Sequence, residues 1–348
     1  FLAVVSGMRT FTYRQYGWPN REAWPDFVAF RNIGDRLLGA SPMKVPLVFA
    51  GTLESGLGQC ADSFAVGGVW TPAGALQDAL LKLGTTCDFY DGHNPQVLAN
   101  AGILVDLGSS AWRSQSIQDV RDYVAQGGRI LLMPIYAHRE ARMIWGSANP
   151  ADTTVDPLLS AIGGEGLAVR PQKVEDTVLA ADDAAPEGFK TLAGMQFQQA
   201  YQATPRDGDQ AILYNADKHP VVIRWPYSRG EVHWSGVSPN WKQTYGNRRG
   251  GPGGTGWNIS YGNADTIGWT QSLLQLCNQK LPYRLRSDLP NTWACGFTKE
   301  EERFILIYNN EESRNATVQI DQLEESRFPA SHYHITVRTN QKVTNKQS

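Results

Sequence analysis

The residues in this 348-residue chain whose types suit chemistry fall at strand ends and turns, not within one motif. The turn Leu107-Gly108-Ser109-Ser110-Ala111 sets two hydroxyls after an apolar run, where an acyl-transfer nucleophile would sit. It lacks the GxSxG elbow that pushes a serine clear of a strand end, so serine catalysis is not expected. Glu54 is an acidic residue at a strand's carboxyl end beside a loop, and a capping or loop-ordering role is expected of it ahead of acid catalysis. His332 and His334 alternate in a strand pattern and share a face, which is half of a metal site. No third ligand follows from the spacing, so no metal is assigned. Cys60, Cys87, Cys277 and Cys295 form no CxxC pair, which argues against zinc. Buried free thiols are expected, with a Cys60 to Cys87 bridge as the sharper alternative. No catalytic residue and no cofactor site is assigned.

The elements that must position these residues centre on Met43 to Tyr136. Lys44 to Leu53 (KVPLVFAGTL) is the unbroken apolar run that a strand buried on both faces requires. Thr71 as N-cap, Pro72 at the first helical position and Ala75, Leu76, Ala79, Leu80 and Leu83 at helical spacing predict a crossover helix ended by Gly84. Thr86 to Tyr90, Gly102 to Leu107 and Arg129 to Tyr136 read as strands, with an amphipathic helix over Ser116 to Ala125 stopped by Gly127-Gly128. That alternation predicts a doubly wound parallel sheet. Further on come a short helix over Asp156 to Ile162, irregular strands within Leu167 to Gln202 and a hairpin about Ser228-Arg229-Gly230. A last helix spans Asp265 to Asn278. Thr292 to Phe297, Arg303 to Tyr308, Ala316 to Ile320 and His332 to Arg338 then predict a small antiparallel β-sandwich.

A net charge of −2 leaves no electrostatic footprint for nucleic acid, and the basic tail Arg338 to Lys346 is too short to change that. No stretch of about 18 apolar residues occurs, so no membrane-spanning helix is expected. Eleven Trp and thirteen Tyr exceed what packing usually demands; Trp112, Trp145 and Trp257 are expected to be exposed at an interface. The chain begins at Phe1 with neither Met nor a charged leader, so it is expected to be processed or to be one piece of a longer chain. The sequons Asn258-Ile259-Ser260 and Asn315-Ala316-Thr317 tilt the expected location toward secreted or periplasmic.

Phe1 to Leu38 offers a helix end, a strand over Met8 to Tyr13 and an amphipathic helix over Trp24 to Leu38, too little to bury a core. With Ser6-Gly7 and Tyr13-Arg14-Gln15-Tyr16, the segment up to Pro42 resembles the last βα unit of the (β/α)8 barrel in family 42 β-galactosidases. Gly17 stands where those enzymes often carry Arg. The resemblance strengthens at Tyr123-Val124-Ala125-Gln126-Gly127-Gly128-Arg129-Ile130-Leu131-Leu132, similar to the "YVxxGGRLL" of their amidotransferase-like trimerisation domain. Pro220 to Gly236 (PVVIRWPYSRGEVHWSG) is similar to the segment that closes that domain.

The resemblance implies three parts: 1–42, a barrel unit; 43–285, a flavodoxin- or amidotransferase-like α/β trimerisation domain; 286–348, a carboxyl-terminal β domain. It implies a sugar site touched by Gln15, Tyr16 and Trp18, with the two catalytic carboxylates on barrel strands that would precede Phe1. It also implies a homo-oligomer, a trimer, or a second polypeptide that supplies the rest of the barrel. An amidotransferase would place a Cys on the turn at Ser109, and none is there. The Gly- and Arg-rich stretch from Trp241 to Asn263 lacks GxxxxGK[ST] and is expected to be an interface or sugar-site loop. The expected function is therefore the non-catalytic carboxyl-terminal portion of a β-galactosidase-like glycoside hydrolase. A carbohydrate-binding protein with this domain, or a complete enzyme with other catalytic residues, are the alternatives.

Overall fold

The computed structural model describes residues 34–35, 37–55, 70–109, 111–133, 139–140, 156–239, 244–245, 259–260, 264–277, 286–287, 292–300, 302–309, 316–319, 326–328 and 333–339. In chain order the elements are β1 (Ser41–Pro42), β2 (Lys44–Ala50), α1 (Trp70–Lys82), β3 (Thr86–Tyr90), β4 (Ile103–Asp106), β5 (Ala111–Trp112), α2 (Ser114–Ala125) and β6 (Arg129–Leu132). Then come β7 (Arg139–Glu140), α3 (Pro157–Ala161), β8 (Ala168–Val178), β9 (Ala180–Ala181), α4 (Glu187–Lys190), β10 (Gln196–Thr204), β11 (Gln210–Tyr214), β12 (Pro220–Tyr227) and β13 (Gly230–Ser235). β14 (Val237–Ser238), β15 (Thr244–Tyr245), β16 (Ile259–Ser260), α5 (Ala264–Leu276), β17 (Arg286–Ser287), β18 (Thr292–Lys299), β19 (Glu302–Asn309), β20 (Ala316–Gln319), β21 (Ser326–Phe328) and β22 (Tyr333–Thr339) complete the chain. Two compact units result, Val45–Ala79 with Cys87–Lys280, and Phe1–Lys44 and Leu80–Thr86 with Leu281–Ser348.

The first unit is built on an eight-stranded mixed sheet in the order β3-β2-β4-β6-β13-β12-β11-β9. β2, β4, β6 and β13 are parallel neighbours, and β12, β11 and β9 extend the sheet antiparallel. The parallel strands are mostly apolar because both of their faces are covered. On one face Val48, Ala50, Leu104, Ile130, Leu132, Val232 and Trp234 pack with Ile117, Val120 and Val124 of α2 and Leu158 and Leu159 of α3. The alternate residues Leu47, Phe49, Ile103, Val105 and Leu131 are equally buried on the other face. Strand β2 stops at Ala50 and not at Leu53, since Gly51 and Leu53 turn their amides to the Tyr90 and Asp91 carbonyls.

Local chemistry sets the element ends. Asp156 caps α3 by accepting from Leu158 and Leu159 amides at 3.1 and 3.0 Å. Helix α2 ends as expected: Gly127 is left-handed at φ 110°, and a Cβ on Gly128 would lie 2.5 Å from the Tyr123 ring. The β12–β13 hairpin crosses that helix end closely, so Gly230 has no room for a Cβ beside the Val124 and Gly128 carbonyls. A separate three-stranded sheet, β14-β10-β8, contains the segment expected to hold irregular strands, and its register shifts between Gln199 and Tyr201.

In the second unit β1, β18, β19 and β22 form one antiparallel sheet and β17, β20 and β21 another. Lys82 sits 5.5 Å from the Trp293 ring centre in this unit. The thiols of Cys295 here and Cys277 in the first unit are free and buried, and burial pushes them up to about 12 and about 11. Burial thus favours the thiol over the thiolate in both. Cys87 is half-buried in β3, and Cys60, its proposed partner, lies outside the described residues.

Arg206 fastens the turn before β11 to the end of α3. It donates to both Asp209 carboxylate oxygens at 2.9 Å and to the Gly163 and Glu165 carbonyls at 2.8 Å, and it lies 5.0 Å from the Trp225 ring centre. Arg206→Ala leaves the buried Asp209 uncompensated and is expected to cost about 2–4 kcal/mol in urea unfolding. Arg206→Lys should recover little of it, because a lysine cannot make the forked contact.

His233 on β13 is fully buried against Phe189, with ring centres 5.3 Å apart, and Glu231 Oε2 lies 3.5 Å from its Nε2. Burial first, then the Arg224 and Arg129 charges, lower its pKa from 6.5 to about 3. Below pH 6.5 the unfolded chain therefore takes up a proton that the native chain refuses. Stability is full above that pH and falls as pH drops toward about 3. The loss between neutral pH and about pH 4.5 should be about 3 kcal/mol larger in the wild type than in His233→Leu, measured by unfolding at each pH.

Candidate functional site

In the first unit, the chain leaves β2 to form β3 on one side and returns to form β4 on the other. Loops leaving the carboxyl ends of two such strands diverge, and the crevice between them is where open α/β sheets bind ligands. Here the polar residues begin where the apolar runs stop. Thr52 and a single helical turn over 53–55 follow β2, Asp91 to Asn94 follow β3, and Gly108 and Ser109 follow β4.

The floor is a buried network of hydroxyls. The Thr52 amide donates to Ser109 Oγ at 3.1 Å, and the Ser109 amide donates to Asp106 Oδ1 at 3.0 Å. Thr52 Oγ1 and Ser55 Oγ lie 2.6 Å apart and both face the Ala111 carbonyl, while the Ala111 amide donates back to Ser55 Oγ at 2.8 Å. Trp112 Nε1 donates to the Ser109 carbonyl at 3.3 Å. Thr52, Ser55, Asp106 and Ser109 are at most 1% exposed. Ser109 Oγ is thus a buried acceptor that joins two loops, not an exposed nucleophile. Ser110 lies outside the described residues.

The rim is made by Glu54, His93 and Arg113. Glu54 Oε1 is 3.1 Å from His93 Nε2 and 3.8 Å from Arg113 Nε, and Arg113 Nη1 is 2.6 Å from His93 Nδ1. A guanidinium only donates, so Nδ1 accepts from Arg113 and Nε2 carries the hydrogen given to Glu54. The Glu54 side chain is 14% exposed, His93 41% and Arg113 43%. The His93 loop is fixed from behind: the His93 amide donates to Asp91, and Ser116 Oγ donates to the carbonyl of Gly92, left-handed at φ 89°. Tyr90 donates to Asp119 at 3.1 Å, and burial together with the Asp119 charge raises its pKa far above that of a free phenol. Glu54 thus contacts the loop after β3 and the residue before α2 through two partners that sequence spacing did not single out.

Gln15, Tyr16, Trp18, Trp145, Trp257 and His332 lie outside the described residues, and of the stretch from 241 to 263 only the β15–β16 pair is described. His334 is the register partner of Ile307 in the β19–β22 ladder. Trp112 overturns the expectation of an exposed interface residue. It is fully buried, 6.5 Å from the Tyr90 ring centre, because β5 runs inward beneath the hydroxyl network. Among the described residues no three His, Cys, Asp or Glu gather as metal ligands. No helix of the described residues is long and apolar enough to cross a membrane.

No protein-family description and no curated protein matches the chain. Solved structures do match in fold. The β-galactosidase from Rahnella sp. R3 superposes with a TM-score of 0.62 at 14% identity, over 90% of this chain and 43% of that one. The β-galactosidase from Bacillus circulans sp. alkalophilus gives 0.61 at 12% identity, over 90% and 45%. Gan42B, a GH42 β-galactosidase, gives 0.58 at 12%, over 89% and 43%. The chain thus has the mixed α/β fold of one part of these enzymes and spans less than half of their length.

Ser109→Ala deletes the acceptor of the buried Thr52 amide. It should cost about 1–3 kcal/mol in thermal or urea unfolding. An unchanged stability would show that the two loops do not depend on this bond.

Proposed function

We propose that this chain is the non-catalytic carboxyl-terminal portion of a GH42-like glycoside hydrolase. Its α/β unit holds copies together, as a trimer, and Gln15, Tyr16 and Trp18 complete a sugar site whose catalytic carboxylates come from another segment. The observation that carries this reading is the match of fold over 90% of this chain but 43% of the Rahnella β-galactosidase. The commitment of Ser109 Oγ to a backbone amide supports it, since the strand-end position where this sheet type would carry a nucleophile is taken up by structure. A second reading, a carbohydrate-binding protein, draws on the half-exposed Glu54–His93–Arg113 rim.

The chain at micromolar concentration should scatter light as three copies and should not hydrolyse a nitrophenyl β-galactoside by itself. A monomeric mass refutes the assembly role. Hydrolysis by the chain alone that is lost in Ser109→Ala, with the fold kept, refutes the non-catalytic role.

A further inference from the structure

We draw no further inference here: the strongest candidate, the polar patch of the eight-stranded sheet formed by Arg129 on β6, Arg224 on β12 and Glu231 beside the buried His233 on β13, carries nothing, because nothing in the structure shows what covers it and the titration of His233 is a property already derived above.

Discussion

β2 and β4 lie side by side and parallel, with Leu47 opposite Ile103 and Ala50 opposite Asp106. Parallel neighbours cannot be joined by a hairpin, so the chain must leave β2, cross over, and come back to β4 after building β3 on the far edge. Both flanking faces are covered by apolar side chains, and a slip of one residue would exchange the sets that face α2 and those that face away. The register is held beyond the strands as well, by the Gly102 amide on the Pro46 carbonyl at one end and the Leu107 amide on the Ala50 carbonyl at the other. What lies past the carboxyl ends is thereby fixed in place: Glu54, His93 and Arg113 are far apart in sequence and meet because three strand ends do.

The same constraint explains why the strand ends are crowded with hydroxyls. Where the ladder stops, backbone amides such as those of Thr52, Ser109 and Ala111 lose their sheet partners inside the protein, and each must find an acceptor. Ser109 Oγ, Asp106 and Ser55 Oγ supply those acceptors. A buried serine that accepts from a backbone amide is engaged in holding the two loops together. These hydroxyls make a rigid floor, and the rigid floor is what keeps the rim residues in one arrangement.

The parallel strands and α2 were legible because their signals are local. KVPLVF and ILLM are apolar runs of strand length, and Gly127-Gly128 stops a helix whatever surrounds it. The β12–β13 hairpin was equally plain from its alternation about Ser228. β8 and β10 were legible only as irregular strands, since AVRPQKVEDTV and QFQQAYQAT are largely polar without a clear alternation and the pair carries a register shift. β11, five residues among turn formers, gave no period to read. Trp112 misled because an aromatic between Ala111 and Arg113 looks like a surface residue. Only the inward course of β5 buries it. The rim was the least legible part. Glu54 announced itself at a strand end, but His93 and Arg113 acquire meaning only from the strand order, which no local pattern encodes.

Magnitudes decide whether the rim is a structural latch. A half-exposed ion pair such as Glu54–Arg113 at 3.8 Å contributes about 0–1 kcal/mol. The hydrogen bond from His93 goes to the same charged acceptor and adds about 1 kcal/mol at this half-exposed position. Against this stands Glu54 Oε2, buried without a donor among the described residues, at a cost of about 1–3 kcal/mol. The loops themselves are already secured beneath by Thr52, Ser55, Ser109 and Ser116, so the rim is not required to hold them.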